Sequence, residues 1–170
     1  KGLADAPPFA MASGTYALAL GRKRLWGATF DKVAPDTTPS VSDAARAENL
    51  KGVETLSPYW VRDAHGDAIA SRASLRATTT DRLPLIGAVP DHDAFLETFA
   101  GMRKGRPANA DAPFLDRVFV SSGFGARGFT WGPWAGSVLA ARLCGAPAPA
   151  SRSALEAVAP ARLLLRALKR

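Results

Sequence analysis

The stretch RVFVSSGFGARGFTWGPWAG (Arg117–Gly136) constrains this chain more than any other. An apolar run leads into Gly-Phe-Gly-Ala-Arg-Gly, a literal G-x-G-x-x-G. Three glycines after a strand mark a dinucleotide-binding βαβ unit only when a helix opens within them and faces a pyrophosphate. A second strand must also follow, with an acid at its end. Pro133 suits the first position of a helix, which places the expected helix start well past the last glycine. After Gly145 the chain reads APAPASRS, with neither an apolar strand nor an acid in the right context. A dinucleotide fingerprint is therefore excluded, and a glycine-rich loop between strand and helix is left. Glycine lets a backbone approach a flat ligand closely and point its N–H groups at it. The expected helix dipole would add positive potential nearby. Glycines placed only to make the turns are the alternative.

The rest of the chain mixes short strands with capped helices. TYALAL (Thr15–Leu20) and LWGATFD (Leu25–Asp31) flank Gly21-Arg22-Lys23-Arg24 and predict an antiparallel hairpin. Ser40 and Asp43 form a capping box for a helix carrying Leu50, Val53 and Leu56, which Pro58 ends. Tyr59–Val61 and Ile69–Thr80 read as strands. Asp93 is the expected cap of a short helix with Phe95, Phe99 and Met102 on one face. Val118–Val120 is a strand, and the helix after Pro133 stops near Gly145. Ser153 and Glu156 predict a further capped helix, and Leu163, Leu164 and Leu168 a final amphipathic one. Strands first and helices later, without βαβ alternation, predict an α+β fold: a largely antiparallel sheet with flanking helices.

With 170 residues and 47% hydrophobic content, the chain can bury the core of one ordinary domain. It opens on Lys1-Gly2-Leu3, and a piece of a longer protein is expected. No apolar run approaches the roughly 18 residues a membrane span needs. A lone cysteine, Cys144, fits a reducing, cytoplasmic setting and is expected to be a small buried residue. Two distant histidines, His65 and His92, expected at the surface, offer no metal-ligand spacing, and no nucleophile elbow exists. Asp91 and Asp93 read as loop and cap residues, not as an acid/base pair. The net charge of +7 would attract a polyanion such as RNA, or serve solubility alone.

SLRATTTDRLPLIGAVPD (Ser74–Asp91) and SSGFGARGFTWGPWAGSVLAARLCG (Ser121–Gly145) together resemble the C-terminal part of the FAD-dependent amine oxidoreductases of the D-amino-acid-oxidase and glycine-oxidase type. Within that family the resemblance is to the oxidase part of bifunctional enzymes that modify the tRNA wobble uridine. Arg76, Thr80–Pro84 with Gly87, Gly123–Gly128, Pro133, the tail Pro160-Ala161-Arg162 and Trp26–Asp31 carry it. The resemblance implies a C-terminal fragment of a two-domain FAD-dependent fold. Residues 1–80 would form part of the antiparallel substrate-domain sheet, and residues 81–170 would return to the flavin site and add C-terminal helices.

FAD is the implied cofactor and tRNA the implied partner. An S-adenosylmethionine-dependent methyltransferase domain in the same full-length chain is implied as well; a metal and a membrane are not. The implied reaction oxidises a secondary amine. It removes the carboxymethyl group of 5-carboxymethylaminomethyluridine as glyoxylate, and the fragment alone is expected to be inactive and not to retain FAD. Gly123, Phe124, Gly125, Ala126, Arg127, Gly128 and Phe129 are the implied cofactor-binding residues. Arg76 is the implied catalytic-site residue, a guanidinium fork for a substrate carboxylate; its alternative is an ion pair with Asp81. Arg127 could meet flavin, substrate or RNA phosphate, or face solvent, and Trp131 and Trp134 could wall a flavin, stack on a base or simply pack. An oxidase of free glycine or sarcosine and a non-catalytic basic RNA-binding module stay open beside the main reading.

Overall fold

The structure, a computed structural model, describes residues 9–21, 23–61, 70–106 and 109–169. It is α+β, with five α-helices and antiparallel sheets among the described residues. The chain divides into two compact units, residues 1–75 and 76–170.

In the first unit β1 (Met11–Ser13), β2 (Thr15–Leu20) and β3 (Lys23–Gly27) form an antiparallel meander. The expected hairpin is present, with Leu20 opposite Lys23 and Tyr16 opposite Gly27. Its turn is shorter than the sequence suggested, because Lys23 and Arg24 join the ladder, and β3 ends at Gly27 rather than Asp31. Helix α1 (Asp43–Leu56) packs on this sheet. Its cap is Ser42 and not Ser40: the Ser42 hydroxyl accepts the Ala45 amide at 3.1 Å. Val53 of α1, Ala17 of β2 and Trp60 are fully buried together, flanked by Met11, Trp26, Leu56 and Val61.

Residues 59–61 are not the expected strand. Pro58 sets the backbone for a 3₁₀ turn, Pro58–Trp60, which swings Trp60 into the core. Arg24 Nη1 pins that turn by donating to the carbonyls of Tyr59 and Trp60, at 3.3 and 3.1 Å.

The second unit is built on β4 (Leu85–Pro90) and β5 (Phe114–Ser122), paired antiparallel from Leu85 opposite Ser122 to Ala88 opposite Phe119. A bulge then brings Pro90 opposite Phe114, and Arg117 takes the positive φ of 57° that the kink requires. Helix α3 (Gly128–Leu143) covers the pair. Ile86, Ala135 and Val138 share a core with Val158 of α4 (Arg152–Val158). A separate cluster joins α2 (His92–Thr98) to α5 (Ala161–Leu168) through Phe95, Phe99 and Leu168, with Met102 against it. The expected apolar face of α2 is thus the buried one.

Several boundaries differ from expectation. Asp91, not Asp93, caps α2 by accepting the Ala94 amide at 3.2 Å, and Ser151, not Ser153, caps α4 by accepting that of Ala154 at 3.3 Å. His92 is at the surface, its Nδ1 2.8 Å from the Asp93 carboxylate, while His65 lies outside the described residues. Residues 70–80 are not a strand: only Thr78 bridges to Phe124, and Ile69 lies outside the described residues. The threonines there serve a turn instead, described below. Cys144 is exposed rather than buried, because it caps the C-terminus of α3 where the chain leaves the core. That helix stops at Gly145 as expected, with the Ala146 amide returning to the Ala141 carbonyl at 2.8 Å.

Candidate functional site

The glycine triplet lies between β5 and α3. Gly123 and Gly125 adopt φ of +76° and +56°, backbone that only glycine enters without strain. Both also touch the segment 77–79: a Cβ at Gly123 would come within 3.3 Å of Thr79 Cγ2, and one at Gly125 within 3.3 Å of Thr78 Cγ2. The Gly125 amide donates to the Ala77 carbonyl at 3.0 Å, beside the Thr78–Phe124 bridge. Two of the glycines are therefore required by close backbone packing within the protein, and the third, Gly128, meets no such neighbour.

Helix α3 begins at Gly128 itself, not at Pro133. The Arg127 carbonyl takes the Thr130 and Trp131 amides at 3.1 and 2.9 Å, closing the first turn without a side-chain cap. Pro133 falls in the second turn, where it removes one intrahelical bond and is accommodated near the helix start. Strand, glycine loop and helix do follow directly, which the position of Pro133 concealed. The dinucleotide unit is still absent among the described residues: β5 pairs antiparallel with β4, and α4 rather than a parallel strand follows.

Amide accounting shows what the loop can offer. Gly125 and Arg127 spend their N–H groups inside the protein, on Ala77 and Phe124. Those of Ala126, Gly128 and Phe129 have no hydrogen-bond partner among the described residues, and all three residues are exposed. Helices α1, α2 and α4 each bond one first-turn amide to a side chain, of Ser42, Asp91 and Ser151; α3, like α5, has no side-chain cap. Such a terminus suits a ligand edge that carries negative charge. Phe129 projects fully into solvent, and the Trp131 and Trp134 rings lie 5.4 Å apart, with Trp134 against the α3 core.

Arg76 is exposed and directly precedes Ala77, so its segment runs beside the loop. Arg127 is exposed and donates from Nη2 to the Arg82 carbonyl at 3.1 Å, tying the loop to the turn 79–83. Arg82 holds a φ of +60° there.

That turn is organised by Asp81. Arg162 of α5, itself 7% exposed, grips the carboxylate with Nε at 2.8 Å and Nη2 at 3.0 Å. It also donates to the carbonyls of Leu83 at 2.8 Å and Ala159 at 3.1 Å. Arg166 makes a second ion pair to the same carboxylate. The Thr79 hydroxyl lies 2.9 Å from Asp81 Oδ1 and 2.6 Å from the Leu83 carbonyl, and the Leu83 amide donates to Oδ1 at 3.1 Å. The Arg162 hydrogen bonds hold the Asp81 carboxyl well below the usual carboxylate range against the opposing effect of burial. The Leu83 amide and Thr79 hydroxyl reinforce them. The acid that the sequence offered to Arg76 is thus gripped by arginines from the chain's far end. Sequence reading missed this network, and its only trace was the presence of both TTTDRLP and PAR in one resemblance.

Comparison with known proteins decides the family. A family model described as FAD dependent oxidoreductase matches residues 3–142. The chain belongs to that family. This FAD dependent oxidoreductase chain is also similar to proteins named tRNA 5-methylaminomethyl-2-thiouridine biosynthesis bifunctional protein MnmC. The one from Pseudomonas fluorescens is 35% identical over 166 residues, 94% of this chain and 25% of its own length. Those from Burkholderia thailandensis and Burkholderia mallei are 35% and 34% identical over 99% of this chain, covering 26% and 25% of theirs. The chain thus spans about a quarter of the length of these relatives. Among the described residues, no helix is long and apolar enough to cross a membrane, and no cluster of His, Cys, Asp or Glu could hold a metal ion.

Proposed function

We propose that this chain supplies the ring-facing part of an FAD-dependent amine oxidoreductase acting on the tRNA wobble uridine. The reaction removes the carboxymethyl group from 5-carboxymethylaminomethyl-(2-thio)uridine. The observation that carries this reading is the similarity of nearly the whole chain to MnmC proteins, joined to an uncapped helix whose leading amides are open.

Gly123, Phe124, Gly125, Ala126, Arg127, Gly128 and Phe129 form the cofactor loop in this proposal. Bound FAD supplies the two-electron acceptor for the carbon beside the amine nitrogen. The open amides of Ala126, Gly128 and Phe129, with the α3 dipole behind them, favour negative charge on the cofactor ring. Arg76 holds the carboxylate of the carboxymethyl group by two-point pairing and so presents the adjacent carbon–nitrogen bond. The basic surface favours a polyanionic substrate, and tRNA is the partner. We place a methyltransferase domain in the same full-length chain and the protein in the cytoplasm.

The test is glyoxylate release by the full-length, flavin-loaded protein. Carboxymethylaminomethyl-tRNA is expected to yield glyoxylate, and free glycine or sarcosine little. Release from glycine alone would replace the tRNA reading with a free amino-acid oxidase. Absence of any flavin absorbance would overturn both.

A further inference from the structure

We infer that Asp81 and Arg162 are positioning residues for the cofactor loop, acting through the turn 79–83 without touching cofactor or substrate. This inference rests on the proposed role of the glycine loop and assigns its control to the last helix of the chain. Arg162 lies beyond the residues that match the family model.

The connection is continuous. Arg162 and Asp81 are separated by 81 positions in sequence yet share two charge-assisted bonds. From Asp81 the network passes to Thr79, whose hydroxyl reaches both the carboxylate and the Leu83 carbonyl. The Thr79 methyl is the atom against which Gly123 is packed. The same turn bonds Arg127 through the Arg82 carbonyl, and the segment leading into it bonds Gly125 through Ala77. The turn and the segment 77–78 before it therefore contact the loop at Gly123, Gly125 and Arg127, and the Ala77 carbonyl takes the Gly125 amide. Guanidinium geometry matters here: Arg162 bonds two carboxylate oxygens and two carbonyls from one planar fork, which lysine cannot reproduce. Because Arg162 is buried and Asp81 half-buried, relaxation of the fork is felt in the turn more than it is absorbed by solvent.

The experiment uses the full-length holoenzyme with Arg162→Lys, Asp81→Asn, Gly125→Ala and Phe99→Leu. Phe99 serves as a destabilised control from the α2/α5 core. FAD affinity, the visible circular dichroism of bound flavin and thermal unfolding are measured on each. Arg162→Lys and Asp81→Asn are expected to weaken FAD retention about tenfold, equivalent to about 1.4 kcal/mol, and to alter the flavin signal. Phe99→Leu should lower the melting temperature while leaving both flavin readouts at wild-type values. Should Asp81→Asn fail to fold, Arg162→Lys, which keeps the charge, decides alone. Altered flavin readouts in Gly125→Ala with wild-type readouts in Arg162→Lys would overturn the positioning role and keep the loop assignment. Wild-type readouts in Gly125→Ala as well would remove the loop from the cofactor, and the inference with it. Equal flavin effects from Phe99→Leu would reduce the network to general stability.

Discussion

The two units of this molecule are closed by different physics. In the first, α1 lies on a three-stranded meander and the enclosed residues, Ala17, Val53 and Trp60, are held by apolar contact. In the second, apolar clusters are joined by a partly buried ion network that ties residue 81 to helix α5. Apolar packing is tolerant of small rearrangements and indifferent to pH. A shared carboxylate gripped by two arginines is directional and titratable. The loop proposed to meet the cofactor lies in the unit with the directional network.

The largest effect that separates the two units is expected from Trp60→Ala. Trp60 is fully buried, and truncation is expected to destabilise by about 3–5 kcal/mol in denaturant unfolding. A loss under about 1 kcal/mol would mean that the first unit does not depend on this core.

Asp81→Asn comes next, at about 3 kcal/mol near neutral pH, because it leaves Arg162 buried without its partner charge. The sign of its pH dependence follows from the depressed carboxyl. Asp81 contributes fully above the unfolded carboxyl value of about 3.9, and the contribution is lost as pH falls from there towards the lower folded value. Wild type and Asp81→Asn should therefore converge in stability on acidification below about pH 4. The gap between wild type and Val53→Ala, a purely apolar change in the first unit, should stay constant over the same range. Parallel acid profiles for both variants would erase the distinction between the units.

The smallest effect sharpens the reading of the loop. Gly123→Ala forces an L-residue to a φ of +76° against Thr79 and should cost about 1–2 kcal/mol by thermal unfolding. Gly128→Ala meets open space in the first turn of α3 and should be neutral or slightly stabilising. Equal losses at both would contradict the division of the glycines into packed and open positions.

Much of the fold was legible because its signals are local. The β2–β3 hairpin, the buried face of α2 and the stop at Gly145 all follow from short-range residue patterns. The helix caps read from the sequence, Ser40, Asp93 and Ser153, each lie two residues from the true one. Ser40 and Ser42, Asp91 and Asp93, and Ser151 and Ser153 carry equivalent oxygens, and the extended backbone at the true cap decided among them. Proline misled twice. Pro58 set a 3₁₀ turn where Tyr59–Val61 read as a strand, and Pro133 sits inside α3 rather than at its start. In both places tertiary packing of Trp60 or Trp134 accompanies a geometry that local preference did not favour.

An α+β chain with a glycine loop between a strand and a helix, and its resemblance to flavoenzymes, could be read from the residues in order. Which loop amides are spent inside the protein and which stay open emerged with the folded chain. It alone brought Arg162 to Asp81. Glycine and turn preferences act over a few neighbouring residues, so they can be read in order along the chain. A bidentate ion pair between residues 81 positions apart depends on where two distant elements come to rest, and no local pattern encodes that distance.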